Sequence, residues 1–262
     1  MVTAPTNRSG GADQEETLSI TPVLINFGCR MRQIQPSKPH DLDPLAVELL
    51  GGLGAFPGAR HIVLGGYFAL KHYCDYRVTH DVDAWWSEES TGEDRDAVRA
   101  ALRLVLTEIG QRRALDLQQR RFGDTESWEL IRAGRKIFSM QIASRTVQLE
   151  PYLPSPWPPL QIESFADNVG SKMNALVQRG APRDFLDVRQ LVIAGLATPL
   201  ECWSVWQRKN PDLLLAEARA EVARHLHELQ LRRPLGSIVD PAERERAGET
   251  RRWFREVFLS GA

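Results

Sequence analysis

The sequence of 262 residues has little cysteine: Cys29, Cys74 and Cys202 lie far apart, and no CxxC pair occurs. A disulfide framework and a structural zinc site both need paired thiols, so neither is expected. No apolar run approaches the ~20 residues that span a bilayer, and the N-terminus lacks the charged-then-apolar pattern of a signal peptide. We therefore expect a cytoplasmic protein that has no contact with a membrane.

An excess of charge of one sign is also missing, because the formal net charge is only -1. No overall positive field therefore marks the chain as a nucleic-acid-binding protein. Apolar residues make up 42% and charged residues 26%, which excludes global disorder and is typical of a globular protein. Local basic pairs such as Arg112-Arg113 and Arg120-Arg121 either contact a polyanion or form a solvated face.

The spacing of apolar residues divides the chain near residue 160. Residues 1–20 are polar and predict a flexible tail. Residues 21–160 mix short apolar strands with helical spacing, and residues 161–262 show helical spacing nearly throughout. We predict an α+β fold in which a small mixed or antiparallel sheet is flanked by helices and followed by a helical C-terminal region.

An antiparallel meander is predicted between residues 114 and 150, because short segments rich in β-favouring residues alternate with turn residues there. Its strands are placed at residues 115–122, 127–132, 136–142 and 146–149. The proline-rich residues 151–159 are predicted to end the sheet.

Two acidic residues carry the strongest chemical signal, Asp81 and Asp83, which flank Val82 in a predicted strand. Alternation along a strand places both carboxylates on one side, and His80 then points to the other side as a structural residue. Asp is disfavoured in strands, and two like charges in close proximity repel each other. Mg²⁺ relieves this repulsion, because it takes one or two carboxylates together with substrate phosphates. A solvated edge strand is the plainer interpretation of the same pattern.

Gly65-Gly66 precedes the acidic pair and separates a predicted strand from a predicted helix. Glycine allows close approach of the backbone to a ligand, and the start of a helix offers free N–H groups to a phosphate. Arg77 and Thr79 lie between this turn and the acidic pair, where they are candidates for positioning phosphate. The turn and the acids together predict a phosphate-binding and metal-binding site.

A second set of charged residues follows in two predicted helices. Lys172 lies at the border of an apolar helix face, so it either extends its alkyl chain along the surface or points into a cleft as a charge for triphosphate. Arg183 is followed by Asp184 and Asp187 at the start of the next helix. The two acids lie one turn apart beside Arg183, a candidate for nucleotide binding, and either suit the helix dipole or brace a lysine or a nucleotide-binding loop.

These residues in this order resemble the AbiEii/AbiGii-type (MenT-like) nucleotidyltransferase toxins of the DNA polymerase β-like superfamily. The resemblance covers roughly residues 45–195 and is carried by residues 65–70, residues 77–83, Lys172 and residues 183–187. It implies a nucleotidyltransferase fold whose helical C-terminal region completes the active-site cleft. It also implies a toxin that uses NTP and Mg²⁺ to modify the acceptor end of tRNA, with a possible cognate antitoxin.

The resemblance also implies roles for single residues. Asp81 and Asp83 match the metal-binding pair, and Lys172 matches the lysine that binds triphosphate. Either Asp184 or Asp187 matches a late acidic position. The superfamily often has a third metal-binding carboxylate on a later strand, for which Glu150 is the candidate. The sequence departs from the pattern at Gly66, since many relatives have a serine hydroxyl there.

Two other functions stay open at this point. A degenerate nucleotidyltransferase fold would bind nucleotide or another protein without turnover, although the intact acidic pair speaks against that. A small-molecule nucleotidyltransferase of the aminoglycoside-modifying type would use the same metal chemistry on a different acceptor.

Overall fold

The computed structural model describes residues 31–144 and 147–260, and the predicted tail at residues 1–20 lies outside them. Seven strands form one mixed sheet in the order β3-β4-β5-β2-β1-β7-β6. Strand β2 is antiparallel to β1 and parallel to β5, and β1 is parallel to β7. The strands are β1 (Ile62–Gly65), β2 (Asp81–Trp86), β3 (Asp116–Phe122), β4 (Thr125–Arg132), β5 (Arg135–Ala143), β6 (Leu153–Pro154) and β7 (Gln161–Ile162).

Helices surround this sheet and make up nearly all of the C-terminal region, which confirms the predicted α+β class. They are α1 (Pro44–Leu53), α2 (Gly66–Lys71), α3 (Gly92–Arg113), α4 (Phe165–Gln178), α5 (Pro182–Ile193), α6 (Pro199–Lys209), α7 (Leu215–Arg232) and α8 (Pro241–Trp253). Their starts follow from side-chain capping, because Thr91, Ser164 and Thr198 each accept a backbone N–H three residues later. Within the described residues, no helix is long and apolar enough to cross a membrane.

Two hydrophobic cores lie on the two sides of the sheet. The first joins α1 and α3 to the sheet residues that point towards them, such as Val82, Ala84 and Trp128. The second contains most of the buried apolar residues of α4 to α7. Helix α2 belongs to both, because Phe68 packs in the first core and Tyr67 packs in the second. The residues that follow Gly66 therefore connect the sheet to the helical region.

The sequence-based prediction was wrong in two places next to this sheet. Residues 147–149 are not a strand, and the proline-rich segment does not end the sheet, because it contains β6 and is followed by β7. Both added strands have two residues, which is too short for an alternation pattern. Pro154 is tolerated in β6 because that strand lies at the edge of the sheet.

Candidate active site

A cleft of about 540 Å³ lies between the sheet and the helical region. Its floor is the side of β2 that faces away from α1 and α3, and it carries Asp81, Asp83 and Trp85. Six cations line the cleft together with only these two acids among the described residues. The cations are Arg77, Lys136, Lys172, Arg179, Arg183 and Lys209. Three buried acids outside the lining, Asp167, Asp184 and Asp187, pair with four of these cations, so the cations exceed the acids by one. The cationic groups at the surface of the cleft suit an anionic ligand.

Asp81 is held from the neighbouring strand β5, with which β2 pairs in parallel. Ser139 Oγ donates a hydrogen bond to Asp81 Oδ1 at 2.5 Å, and Lys136 Nζ approaches the same oxygen at 3.0 Å. Burial opposes ionisation of Asp81, but these two donors outweigh it and lower the pKa of the carboxyl. Asp81 is therefore a fixed carboxylate at the mouth of the cleft.

Asp83 lies deeper, and its carboxylate has no hydrogen bond or ion pair with any described residue. Burial raises the pKa of Asp83, the charge of Asp81 raises it further, and Lys172 opposes the shift. A carboxyl without a donor, beside a second carboxylate, is the arrangement that a divalent cation stabilises. The residues present therefore fit Mg²⁺, with oxygen ligands from Asp81 and Asp83 and the remaining ligands from phosphates or water.

Gly66 makes room for Asp83. Its φ is +58°, and an added Cβ would overlap Asp83 Oδ2 and lie 2.7 Å from Asp83 Cγ. Gly65 does the same for the next cleft residue, because a Cβ there would overlap the indole of Trp85. Gly66 lines the cleft, whereas Gly65 is buried behind it. The absence of both side chains thus lets β2 place its cleft-facing residues directly against the turn.

We expect Gly66→Ala to destabilise the fold by roughly 2–4 kcal/mol, from left-handed backbone strain and overlap with Asp83. Gly195→Ala is the matched control, since Gly195 has a φ of +66° and its added Cβ would meet nothing within 4 Å. That variant should lose only the backbone component, about 1 kcal/mol. Urea denaturation of both variants measures the difference. Equal losses would contradict a steric role for Gly66.

Asp187 joins two of the cleft cations to each other. It is fully buried, and its Oδ2 accepts Lys172 Nζ at 2.8 Å while its Oδ1 accepts Arg77 Nε at 3.2 Å. Tyr76 also donates its hydroxyl to Asp187 Oδ1. Burial opposes ionisation, but Lys172 and Arg77 outweigh it and lower the pKa of Asp187. Lys172 is thus a buried, ion-paired lysine that borders the cleft, which excludes the surface-lysine interpretation.

Tyr67 fixes Arg77 in addition to Asp187. The Arg77 guanidinium stacks on the ring of Tyr67, with 3.4 Å between Cζ and the ring centroid. The Tyr67 hydroxyl donates to the Arg77 carbonyl and accepts the Arg77 N–H at 2.9 Å. Burial raises the pKa of Tyr67 to about 12, so the phenol stays a donor at neutral pH. Arg77 is therefore held in place before any ligand binds.

Asp184 has a different task from Asp187. It accepts Arg179 Nε at 2.8 Å and Nη2 at 2.9 Å, and it caps α5 by accepting the N–H of Ala181 at 3.0 Å. Asp184 does not line the cleft, but Arg179 does. Each of the two acids therefore acts on the cleft through a cation, and neither lies at its surface.

The remaining predicted residues divide between the cleft and other places. Thr79 and Arg183 line the cleft, and Arg183 is exposed with no ion pair to a described residue. His80 lies outside the cleft and pairs with Asp43 at 2.5 Å, in agreement with a structural role. Glu150 lines a separate cavity, so the structure does not bring it to Asp81 and Asp83.

The position of Glu150 follows from the backbone around it. The N–H groups of Leu149 and Glu150 are both accepted by the buried carboxylate of Asp167, at 3.0 Å each. This contact holds the segment against α4 instead of adding it to the sheet. Within the described residues, no group of three or more His, Cys, Asp or Glu side chains could hold a metal ion. The strand beside Asp83 offers the neutral Gln141 in register.

Several residues of the site were missed by the sequence-based prediction. Ser139 was detectable, because it alternates with buried apolar residues along β5 and so shares a face with Gln141. Tyr76, Arg179 and Asn168 gave no local signal. Asn168 donates from Nδ2 to the Gly66 carbonyl at 2.9 Å and so ties α4 to the glycine turn.

A family model described as nucleotidyl transferase AbiEii toxin, type IV TA system, matches residues 48–254. The chain belongs to this family. The description of the family names nucleotidyl transfer and a type IV toxin–antitoxin system. The matched residues include the glycine turn, the acidic pair, Lys172 and both late acids.

The structure is also similar to that of the Megavirus polyadenylate synthase, with a TM-score of 0.37 and 10% sequence identity. The similarity covers 85% of this chain and 52% of the viral one, so the chain spans about half the length of that protein. No curated protein sequence matches the chain.

Proposed function

We propose that this nucleotidyltransferase transfers a nucleoside monophosphate from an NTP to an acceptor hydroxyl at the 3′ end of a tRNA, and that it requires Mg²⁺. The observation that carries the proposal is the meeting of Asp81 and Asp83 with six cations in one cleft. A triphosphate and its metal ion supply the complementary charges. In the reaction, the acceptor hydroxyl loses its proton to solvent and its oxygen bonds to the α-phosphorus. The bond from the α-phosphorus to the bridging oxygen breaks, and pyrophosphate leaves with that electron pair.

Asp81 and Asp83 would hold the metal ion, which would neutralise phosphate charge and favour the ionised acceptor hydroxyl. Lys172 and Arg77 bind the triphosphate as cations whose positions are set by Asp187. Arg183 is exposed in the lining of the same cleft and is available for a phosphate without first breaking an ion pair with a described residue. The chain's own contribution is thus mainly positioning and charge complementarity.

The charge of the cleft also separates candidate acceptors. An aminoglycoside is a polycation and would meet the cations that line the cleft, with Asp81 and Asp83 already committed to the metal ion. An RNA end is a polyanion and avoids this repulsion. The electrostatics therefore favour a nucleic-acid acceptor over an aminoglycoside.

The test is incubation of the protein with each α-labelled NTP, Mg²⁺ and total tRNA. We expect label in the tRNA fraction, no label when EDTA is added, and none with tRNA whose 3′ hydroxyls are oxidised. Aminoglycosides under the same conditions should remain unlabelled. Thermal stabilisation by NTP without transfer to any acceptor would instead indicate a nucleotide-binding module and would overturn the proposal.

A further inference from the structure

The sheet face that carries Asp81 and Asp83 continues across three more strands. Register places Gln141 of β5 beside Asp83, Ser127 of β4 beside Gln141, and Arg120 of β3 beside Ser127. Directly paired residues share a face, so these side chains lie on the side of the sheet away from α3. Neighbouring strands are about 4.8 Å apart, so β3 lies roughly 14 Å from β2 along this face.

Helices cover the two faces unequally. Helix α3 packs against the apolar face of β3 and β4, where Arg99 pairs with Glu126 and Arg103 donates to Gln119. On the other side, α2 and α4 cover the sheet near β1, where Asn168 contacts Gly66. The part of the second face beyond Asp81 remains accessible at Phe122, Arg120 and Lys136. We call this part the open sheet face, defined by Arg120, Phe122, Thr125, Lys136 and Gln141.

The chemistry of the open sheet face suits single-stranded nucleic acid. Phe122 is 64% exposed, and it pairs across the hairpin with Thr125, which lines the cleft. Arg120 is half exposed, and its only described ion pair is a long one of 3.7 Å to Glu129. An exposed aromatic ring beside a cation is the combination that stacks a base and contacts the phosphate backbone.

We propose that the open sheet face binds the single-stranded 3′ end of the acceptor RNA, with Phe122 stacking on a base and Arg120 contacting a phosphate. The proposal rests on the function proposed above and adds the path by which the acceptor reaches Asp81 and Asp83. The open sheet face is continuous with the cleft, and this continuity supports the proposal. An RNA end bound at β3 crosses Thr125 and Gln141 before it arrives at the acidic pair.

The experiment measures binding of a fluorescent single-stranded RNA oligonucleotide and of total tRNA by anisotropy, without NTP. The variant Phe122→Ala with Arg120→Ala should bind RNA about tenfold more weakly, since loss of one stacked base alone reaches that size. In the transfer assay, KM for RNA should rise while KM for NTP stays unchanged. Arg120→Ala alone should lower the slope of log K against log salt by about 0.7.

Two controls lie in the same hairpin. Arg121 is exposed and adjacent, but its register with Glu126 places it on the opposite face, towards α3. Arg121→Ala should therefore retain the RNA affinity of the wild type, although it removes the same charge. Phe122→Tyr should also retain RNA affinity, because the ring still stacks.

Equal RNA affinity in the wild type and the double variant would overturn the proposal. If the double variant keeps its RNA affinity and its sedimentation coefficient changes, the proposal is also overturned, because the open sheet face would then be an interface between proteins. Failure of the wild type to label any RNA contradicts the proposed function instead. Because binding is measured without NTP, the two failures are distinguishable.

Discussion

Asp83→Asn should reduce nucleotide transfer by roughly 10³-fold or more while leaving the fold at least as stable as the wild type. Metal coordination in transferases of this chemistry is worth several kcal/mol in the transition state, and each 1.36 kcal/mol is a factor of ten. Asp83 has no hydrogen bond to a described residue that the amide would break. The substitution therefore removes a ligand without removing an internal contact.

The expected stability of the Asp83→Asn variant follows from the pKa of Asp83. The folded protein raises the pKa of Asp83 above the ordinary value of 3.8, because burial and Asp81 penalise the charged form. The carboxyl therefore stabilises the fold below its unfolded pKa, and this contribution is lost as pH rises through the folded pKa. At neutral pH the wild type bears the cost of the charge, whereas asparagine does not.

Three measurements check this prediction together: transfer rate, urea denaturation at pH 7.5, and the shift in Tm on adding Mg²⁺ with NTP. Mg²⁺ with NTP should stabilise the wild type more than Asp83→Asn. Asp212→Asn, at an exposed position between α6 and α7, is the control and should match the wild type in all three. A variant that loses activity because it unfolds, or that responds fully to Mg²⁺, would contradict a metal-binding role for Asp83.

The acidic pair could be predicted from sequence because its geometry is local. Alternation alone places Asp81 and Asp83 on one side of a strand, and the structure keeps them there. The meander was predictable for the same reason: β3, β4 and β5 lie close to the positions that the alternation indicated. These features depend on neighbours within a few residues along the chain.

The rest of the site depends on contacts between distant segments. Asp184 and Asp187 lie on the same side of one helix, so no spacing argument separates them. They differ in their partners: Arg179 and the Ala181 N–H for Asp184, and Lys172 with Arg77 for Asp187. Arg77 is 110 positions away from Asp187 in the chain, and local patterns carry no information about such a pair.

The location of Glu150 also could not be predicted from local sequence. It was predicted as a metal ligand because it follows a segment with β-favouring residues. The carboxylate of Asp167, in α4, instead accepts the backbone N–H groups of Leu149 and Glu150.

Likewise, Arg120 and Arg121 are indistinguishable in sequence as a basic pair. Only the register with β4 places one on the open sheet face and the other towards α3. Fold class followed from local patterns, whereas the choice among similar residues required tertiary structure.

Asp187→Asn should be the most damaging single change to stability in the site, with a loss of roughly 3–5 kcal/mol, because it leaves buried cations without their counter-charge. Lys172 has a side-chain exposure of 8% and Arg77 one of 27%, so solvent screens the first of them little. Asp184→Asn is the matched comparison on the same helix. Its partner Arg179 is 52% exposed, so that change should cost about 1 kcal/mol, mainly from the weakened pairing with Arg179, because the amide oxygen still accepts the Ala181 N–H.

The acid dependence of stability should change in the same variant. The folded pKa of Asp187 is depressed, because Lys172 and Arg77 outweigh the effect of burial. Its ionisation therefore stabilises the fold above the ordinary pKa of 3.8, and this contribution is lost as pH falls through the lower folded value. Asp187→Asn should show a flatter decline in the free energy of unfolding below pH 5 than the wild type. A parallel decline would contradict the assignment.

A double variant separates the structural part of this effect from the functional part. Adding Lys172→Met to Asp187→Asn removes the orphaned ammonium, so a substantial part of the lost stability should return, measured as a coupling free energy in a double-mutant cycle. Transfer activity should not return, because triphosphate then meets neither Lys172 nor a fixed Arg77. In the single variant, KM for NTP should rise more than kcat falls, as expected for a positioning residue. Recovery of activity together with stability would show that Asp187 serves the fold alone.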